Sequence, residues 1–347
     1  MPSRGYRQRR HLAAALRQPW RASEEIMANI LVTGGAGFIG VAVARALLER
    51  GDRVTAFDLR VGPELAALAE AQPELSVALG EVTEWQSVAA LMQANPPDAV
   101  VHCAAIVGVI ASVQTPARTF QVNVGGTINL FEAMRLFGVK RLIHMSSEET
   151  YGDFQAPLID EEHPQKPIMA YGISKLAVEH LGRSYDVQYG LEVVNLRTCW
   201  AYGPGLSRAR VPKTMVDAAL SGRPLHLSAG AEMAVDHTYI DDVVAGILAA
   251  LDQDRHPFDA YNIGSGQATS LAEIAEIVKA LVPGADISVA AGEYRHGDTD
   301  NSAHAVRKGA LDVSRAREVL GFEPRFDMRR GLAAYIEAER PSRNTGA

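Results

Sequence analysis

The sequence predicts an α/β fold: a doubly wound parallel sheet followed by a smaller C-terminal α/β domain. Three observations predict it. Short apolar runs alternate with longer helical patterns, the runs lack the alternation of a sheet wetted on one face, and a glycine-rich turn directly follows the first run. Ala99-Val100-Val101 and Arg141-Leu142-Ile143-His144 are apolar at successive positions, as expected of strands covered on both faces.

Taken in order, strands are expected at Ile30–Thr33, Arg53–Asp58, Ala99–Ala105 and Arg141–Ser146, each leading into a helix at Val41–Arg50, Pro63–Ala71, Ala117–Phe137 and Tyr171–Tyr189. A fifth strand, Leu191–Leu196, ends at Arg197. Beyond it come a Gly/Pro-containing stretch, a helix at Asp241–Leu251, a strand at Ala260–Ile263, and helices at Ser270–Leu281 and Val313–Leu320. Residues 27–200 form the expected first domain, and 201–338 mainly the second, with some return to the sheet near 237–264 and a tail at 339–347. Residues 1–26 hold six arginines against Glu24 and Glu25, whereas the remainder carries a net charge of −11. That foreign composition, ending at Met27, fits a disordered extension or an over-long start.

With 47% hydrophobic residues in 347, the chain is a globular protein large enough for one or two well-filled cores. The apolar stretch from Ala99 to Val113 contains His102 and falls short of the roughly 18–20 residues that cross a bilayer as a helix, so no membrane span is expected. A net charge of −7 without a basic, aromatic-interleaved run argues against nucleic acid as a partner. Cys103 and Cys199 have neither paired spacing nor a histidine cluster, which argues against a disulfide framework and a metal site and suits the cytoplasm.

The turn Thr33-Gly34-Gly35-Ala36-Gly37-Phe38-Ile39-Gly40 joins the first strand to the first helix. Gly34 permits a tight turn, Gly37 lets backbone approach a pyrophosphate, and Gly40 lets helix and strand pack closely, with the helix N-terminus facing the anion. Asp58 ends the next strand, where a carboxylate accepts hydrogen bonds from a ribose diol. The turn therefore predicts a Rossmann-type dinucleotide site. A carboxylate repels a 2′-phosphate, which favours NAD over NADP, although Arg60 stands nearby.

Tyr171 and Lys175 are four residues apart, one turn along one helix face. The cation is expected to lower the phenol's pKa, making Tyr171 a proton acceptor and donor, while Lys175 also holds the nicotinamide ribose. Ser147, at the end of the Arg141 strand, falls at the carboxyl edge of the sheet, where ligands bind in such folds.

On these motifs, together with His102-Cys103-Ala104-Ala105, Asn123-Val124-Gly125-Gly126-Thr127, Leu196-Arg197, Tyr202-Gly203-Pro204, Tyr239-Ile240-Asp241-Asp242 and Asn262-Ile263-Gly264, the chain resembles the NAD-dependent epimerase/dehydratase family of extended short-chain dehydrogenases/reductases from about Asn29 to Tyr335. The resemblance implies transient oxidation of a sugar hydroxyl: Tyr171 removes the O–H proton, hydride passes to NAD, Ser147 steadies the oxygen, and the keto intermediate is reduced again or altered. It implies a nucleotide-sugar epimerase first. It further implies cofactor contacts at Glu81 and Val82 near the adenine, at Ala104 and Ala105, and at Asn123, and a homodimer formed through the helices Ala117–Phe137 and Tyr171–Tyr189.

The chain also departs from the family's pattern. Trp200 stands where nucleotide-sugar members carry Asn, and Val235 precedes Asp236-His237 where they carry Arg; Arg295 retains the late R-x-G-D arginine. Trp200, His237 and Arg295 are therefore the candidate substrate contacts, and dehydrogenation of a free sugar, uronate or polyol is the alternative that the departures favour. Ser147-Glu148-Glu149 stands where 4,6-dehydratases of the family place a Thr-Asp-Glu run, so Glu148 and Glu149 as acid and base are a further alternative, because adjacent carboxylates can split their pKa values. A regulator that only senses NAD would not need Ser147, Tyr171 and Lys175 together. His102 reads as a core residue, and the run Asp160-Glu161-Glu162 as a solvated loop.

Overall fold

The computed structural model describes residues 27–295 and 306–340. The expected extension over 1–26 lies outside the described residues, as do 341–347 of the expected tail and Gly297-Asp298 of the late motif.

Seven strands form one parallel sheet: β1 (Asn29–Thr33), β2 (Arg53–Asp58), β3 (Leu75–Leu79), β4 (Ala99–His102), β5 (Arg141–Ser147), β6 (Glu192–Thr198) and β7 (Ala260–Ile263). Their order is β7-β6-β5-β4-β1-β2-β3. The order reverses between β1 and β4, and that switch point opens a crevice at the carboxyl ends of the strands. Side chains of successive residues leave a strand on opposite faces. Ile30, Val32, Val101 and Ile143 accordingly join one apolar cluster, and Leu31, Val100 and Leu142 join another on the opposite face. Because both faces are covered, β4 and β5 are buried at every position.

The sequence reading missed β3 and the helix Trp85–Ala94. β3 is the edge strand and buries only Leu75 fully, and the helix buries only Val88 and Met92, so neither carries a strong period. The helix expected over Ala117–Phe137 begins at Pro116 and runs through a widened π-helical turn at Gln121–Gly126 before Thr127–Phe137. π-helical turns inside longer helices recur at functional sites, and this one carries Asn123.

The helix Ala170–Tyr189 is fastened to the sheet by buried charge. Glu179 accepts hydrogen bonds from Arg197 of β6 at 2.6 and 3.0 Å and from Ser146 of β5 at 2.7 Å. The solvated-loop reading of 160–162 is corrected: Glu161 is buried, accepts from the Asn262 amide at 2.7 Å and pairs with Arg315, because the loop packs under the edge strand β7.

Candidate functional site

The glycine turn is built for close approach. A Cβ at Gly34, which has φ +70°, would lie 2.6 Å from the Ala104 amide nitrogen, and one at Gly40 would lie 2.1 Å from the Gly34 carbonyl oxygen. Ala104 thus lies directly over the turn, with Ala105 next in the same loop. Asp58 accepts from the Ala36 amide at 3.0 Å and from the Leu59 amide at 2.7 Å, so the carboxylate also holds the turn in shape. The helix Phe38–Glu49 starts at Gly37 with no side chain capping it, which leaves the first-turn N–H groups around Phe38 and Ile39 free of side-chain acceptors. The bare turn, its uncapped helix and a carboxylate at the next strand end together fit a dinucleotide.

Where the adenine is expected, side chains already claim one another. Glu81 pairs with Arg118, and hydrogen bonds from Thr83 and Arg118 hold its carboxyl below the usual range. Val82 is buried in the sheet's second cluster, and its carbonyl accepts from Asn129 at 3.0 Å. Asn123 accepts from the Ile106 amide at 2.8 Å and donates to Ser174 Oγ at 2.9 Å, tying the loop beyond β4 to the helix of Tyr171.

Tyr171 and Ser147 meet at the carboxyl end of β5. The Tyr171 amide donates to Ser112 Oγ at 3.1 Å, and Gly172 lets the helix close on the segment after β5, since a Cβ there would lie 2.3 Å from the Glu149 carbonyl oxygen. The expectation that Lys175 lowers the phenol's pKa is corrected: burial pushes Tyr171 up, the charge of Glu148 adds to this, and a hydrogen bond with Ser147 opposes it. Lys175 points elsewhere. Its Nζ donates to the Met145 carbonyl at 2.7 Å and lies 3.3 Å from His144 Nε2, 6.0 Å from the Tyr171 ring centroid. Burial brings Lys175 down to about 8.

The two glutamates sit in different surroundings. Glu148 is buried and accepts from Ser147 Oγ at 2.6 Å; burial and then the charge of Glu149 push its pKa up. Glu149 pairs at 3.2 Å with Lys308, which also donates to the Gly152 carbonyl. One carboxyl is thereby biased toward its acid form and its neighbour is held by a cation.

Trp200 and His237 come together and Arg295 does not join them. Their rings meet edge-on at 5.5 Å, both buried, whereas Arg295 is exposed and pairs with Glu293 at 2.8 Å. Arg210, which no motif flagged, lies over the Trp200 ring at 4.1 Å. His144, Lys308 and Arg210 were all missed. Each sits outside the recognisable spacings, and only the fold brings it to the cleft.

Residues 30–264 match the NAD dependent epimerase/dehydratase family. A dTDP-glucose 4,6-dehydratase of Xanthomonas campestris pv. campestris (strain B100) is 30% identical over 332 residues, covering 90% of this chain and 93% of the relative. Among solved structures, a UDP-glucose 4-epimerase of Thermotoga maritima with UDP-glucose has a TM-score of 0.79 at 31% identity, over 89% of this chain and 97% of that one. MoeE5 in complex with UDP-glucuronic acid and NAD has a TM-score of 0.78 at 30% identity, over 89% and 98%.

Proposed function

The chain belongs to the NAD dependent epimerase/dehydratase family, and from that membership we propose that it is a nucleotide-sugar epimerase that binds NAD and inverts a hydroxyl-bearing carbon by oxidising and re-reducing it. The observation that carries this reading is the convergence of Tyr171 and Ser147 at the carboxyl end of β5, on the same edge of the parallel sheet as the glycine turn that follows β1.

Gly34, Gly37, Phe38, Ile39 and Gly40 would hold the pyrophosphate, Asp58 the adenine ribose and Lys175 the nicotinamide ribose, with Ala104 and Ala105 forming the wall between them. Bound there, NAD supplies a reversible acceptor for the hydrogen that leaves the sugar carbon. Tyr171 carries its proton at neutral pH and donates to the sugar oxygen. It takes the hydroxyl proton only after passing its own to solvent, a loss that nearby positive charge favours, and the Lys175 ammonium, one helical turn away, supplies that charge on leaving the Met145 carbonyl; the same proton returns to the sugar oxygen when the carbon is reduced again. Ser147 holds the same oxygen from the strand side, its own orientation fixed by Glu148.

A second reading, a 4,6-dehydratase, is favoured by the unequal surroundings of Glu148 and Glu149, since elimination of water needs one acid and one base. One panel separates the readings: UDP-, GDP- and dTDP-sugars and free uronates, followed by mass and by absorbance near 340 nm. The epimerase gives a product of unchanged mass with no net NADH. Loss of one water supports the dehydratase, and stoichiometric NADH from a free uronate supports a dehydrogenase instead.

The dimer belongs to the same proposal. The helices Pro116–Phe120, Thr127–Phe137 and Ala170–Tyr189 leave Phe120, Leu136, Ile173 and Val187 exposed, an apolar surface suited to a second copy. Light scattering at micromolar concentration checks it, with a monomeric mass as the contrary result.

A further inference from the structure

We infer that Arg210, lying over Trp200 beside His237, binds an oxyanion carried by the substrate. The inference rests on the nucleotide-sugar reading above and narrows its substrate class to anionic sugars, or to the charged linkage that carries a neutral one.

Arg210 is half-buried, with its guanidinium carbon 4.1 Å from the Trp200 ring centroid. Among the described residues no oxygen accepts a hydrogen bond from it and no carboxylate pairs with it. Five donors in a planar fork are therefore unclaimed by the protein and open to an arriving acceptor. Burial, and then the like charge of Arg208, brings its pKa down to about 10, which still leaves it charged at neutral pH. The acids nearby do not neutralise it. Glu148 is committed to Ser147 and biased toward its neutral form, and Glu149 to Lys308. In a chain of net charge −7, Arg208 and Arg210 make a local positive spot beside the reacting groups.

A second observation points to a ligand independently. His237 is 2% exposed, and its Nδ1 lies 3.0 Å from the Val235 carbonyl oxygen. A carbonyl only accepts, so Nδ1 carries the hydrogen. Burial and the charge of Arg210 push the imidazole down to about 3, so it is neutral and Nε2 presents a lone pair. That Nε2 is buried without a hydrogen-bond partner. A cationic fork and an unfilled acceptor therefore both adjoin the Trp200 indole. That set recognises an oxyanion together with a hydroxyl, the chemistry of a sugar acid or of a sugar bearing phosphate.

The experiment measures binding of UDP-glucuronate, UDP-glucose, UDP and free glucuronate by calorimetry, using the full chain and the Arg210→Gln, Arg210→Lys and Trp200→Leu variants, with melting temperature as a second readout. Loss of a charge-assisted pair is expected to weaken binding by about tenfold to a hundredfold in Arg210→Gln, with partial recovery in Arg210→Lys. Weakening confined to the glucuronates identifies a sugar carboxylate as the oxyanion. Equal weakening of UDP-glucose, UDP-glucuronate and UDP identifies the diphosphate. Unchanged binding of every ligand in Arg210→Gln, or a lowered melting temperature with binding unchanged, overturns the inference. If the wild-type chain binds none of the UDP ligands, the nucleotide-sugar reading fails separately, and the same comparison with free glucuronate decides Arg210.

Discussion

Nζ of Lys175 lies 3.3 Å from Nε2 of His144 and 6.0 Å from the centroid of the Tyr171 ring on its own helix. The His144 tautomer follows from its other nitrogen. Nδ1 lies 2.9 Å from Asn195 Oδ1, and the Asn195 amide nitrogen donates to the Asp259 carbonyl at 2.8 Å, so Oδ1 is the acceptor and Nδ1 carries the hydrogen. Nε2 is left to accept from the ammonium, and burial keeps the imidazole neutral. Lys175 is thus held by β5 in a position from which it can be drawn toward a ligand.

That position has a stability cost with a definite pH sign. An ammonium whose pKa falls from 10.5 to about 8 on folding binds its proton more readily in the unfolded chain. Buried Lys175 therefore detracts from stability below pH 8, and the penalty fades as pH rises from about 8 toward 10.5. Lys175→Met is expected to lose turnover while melting no lower than wild type at pH 7, its advantage shrinking toward pH 10. Melting curves across that range check this, and a variant that melts lower at pH 7 contradicts it.

Tyr171→Phe removes the hydroxyl and keeps the packing. Turnover is expected to fall by about 10²- to 10⁴-fold, the usual worth of a positioned acid–base group, with NAD affinity retained. Stopped assays and fluorescence titration of the cofactor separate the two quantities. Near-normal turnover would remove Tyr171 from the proton step.

Asp58→Ala deletes the carboxylate proposed to hold the ribose, which also holds the Ala36 amide at 3.0 Å. NAD affinity is expected to fall by about tenfold, the value of a charge-assisted hydrogen bond, while NADP loses less because a repulsive charge is gone. Titration with both dinucleotides reads the ratio, and an unchanged ratio would place the ribose elsewhere.

Glu179 is fully buried against Arg197 and Arg183. Burial alone would push its pKa up, yet the two guanidiniums and the Ser146 hydroxyl bring it down to about 2. A carboxyl depressed from 4.5 stabilises the fold above pH 4.5 and loses that contribution as pH falls through 4.5 toward 2. Glu179→Gln leaves buried cations uncompensated and is expected to cost about 3–5 kcal/mol at pH 7, measured by urea unfolding. The gap between variant and wild type should close in acid.

The parts of this molecule governed by local chemistry were legible from the residues alone. The glycine turn, Asp58 and the strands buried on both faces are dictated by backbone conformation and by periods of two and 3.6 residues. The convergence of Ser147 with Tyr171 could be anticipated because both lie at one edge of a parallel sheet. What could not be read is which way a long side chain turns. Four residues separate Tyr171 from Lys175, but the acceptors that claim the ammonium, Met145 and His144, belong to a strand some 30 positions earlier. Edge elements such as β3 were missed for a related reason, since a half-covered strand carries a weak pattern. Arg210 and Lys308 reach the cleft from the second half of the chain, and no spacing connects them to the residues that they meet.

The most direct test of reversible oxidation at the sugar carbon is turnover of the accepted nucleotide sugar in D2O, followed by NMR at the inverted centre. A carbon-bound hydrogen that leaves to NAD and returns never mixes with solvent, so the account predicts an inverted product without deuterium at that carbon. Deuterium at the inverted centre would mean direct deprotonation of the carbon, and would contradict the role assigned to Tyr171, Ser147 and the dinucleotide turn.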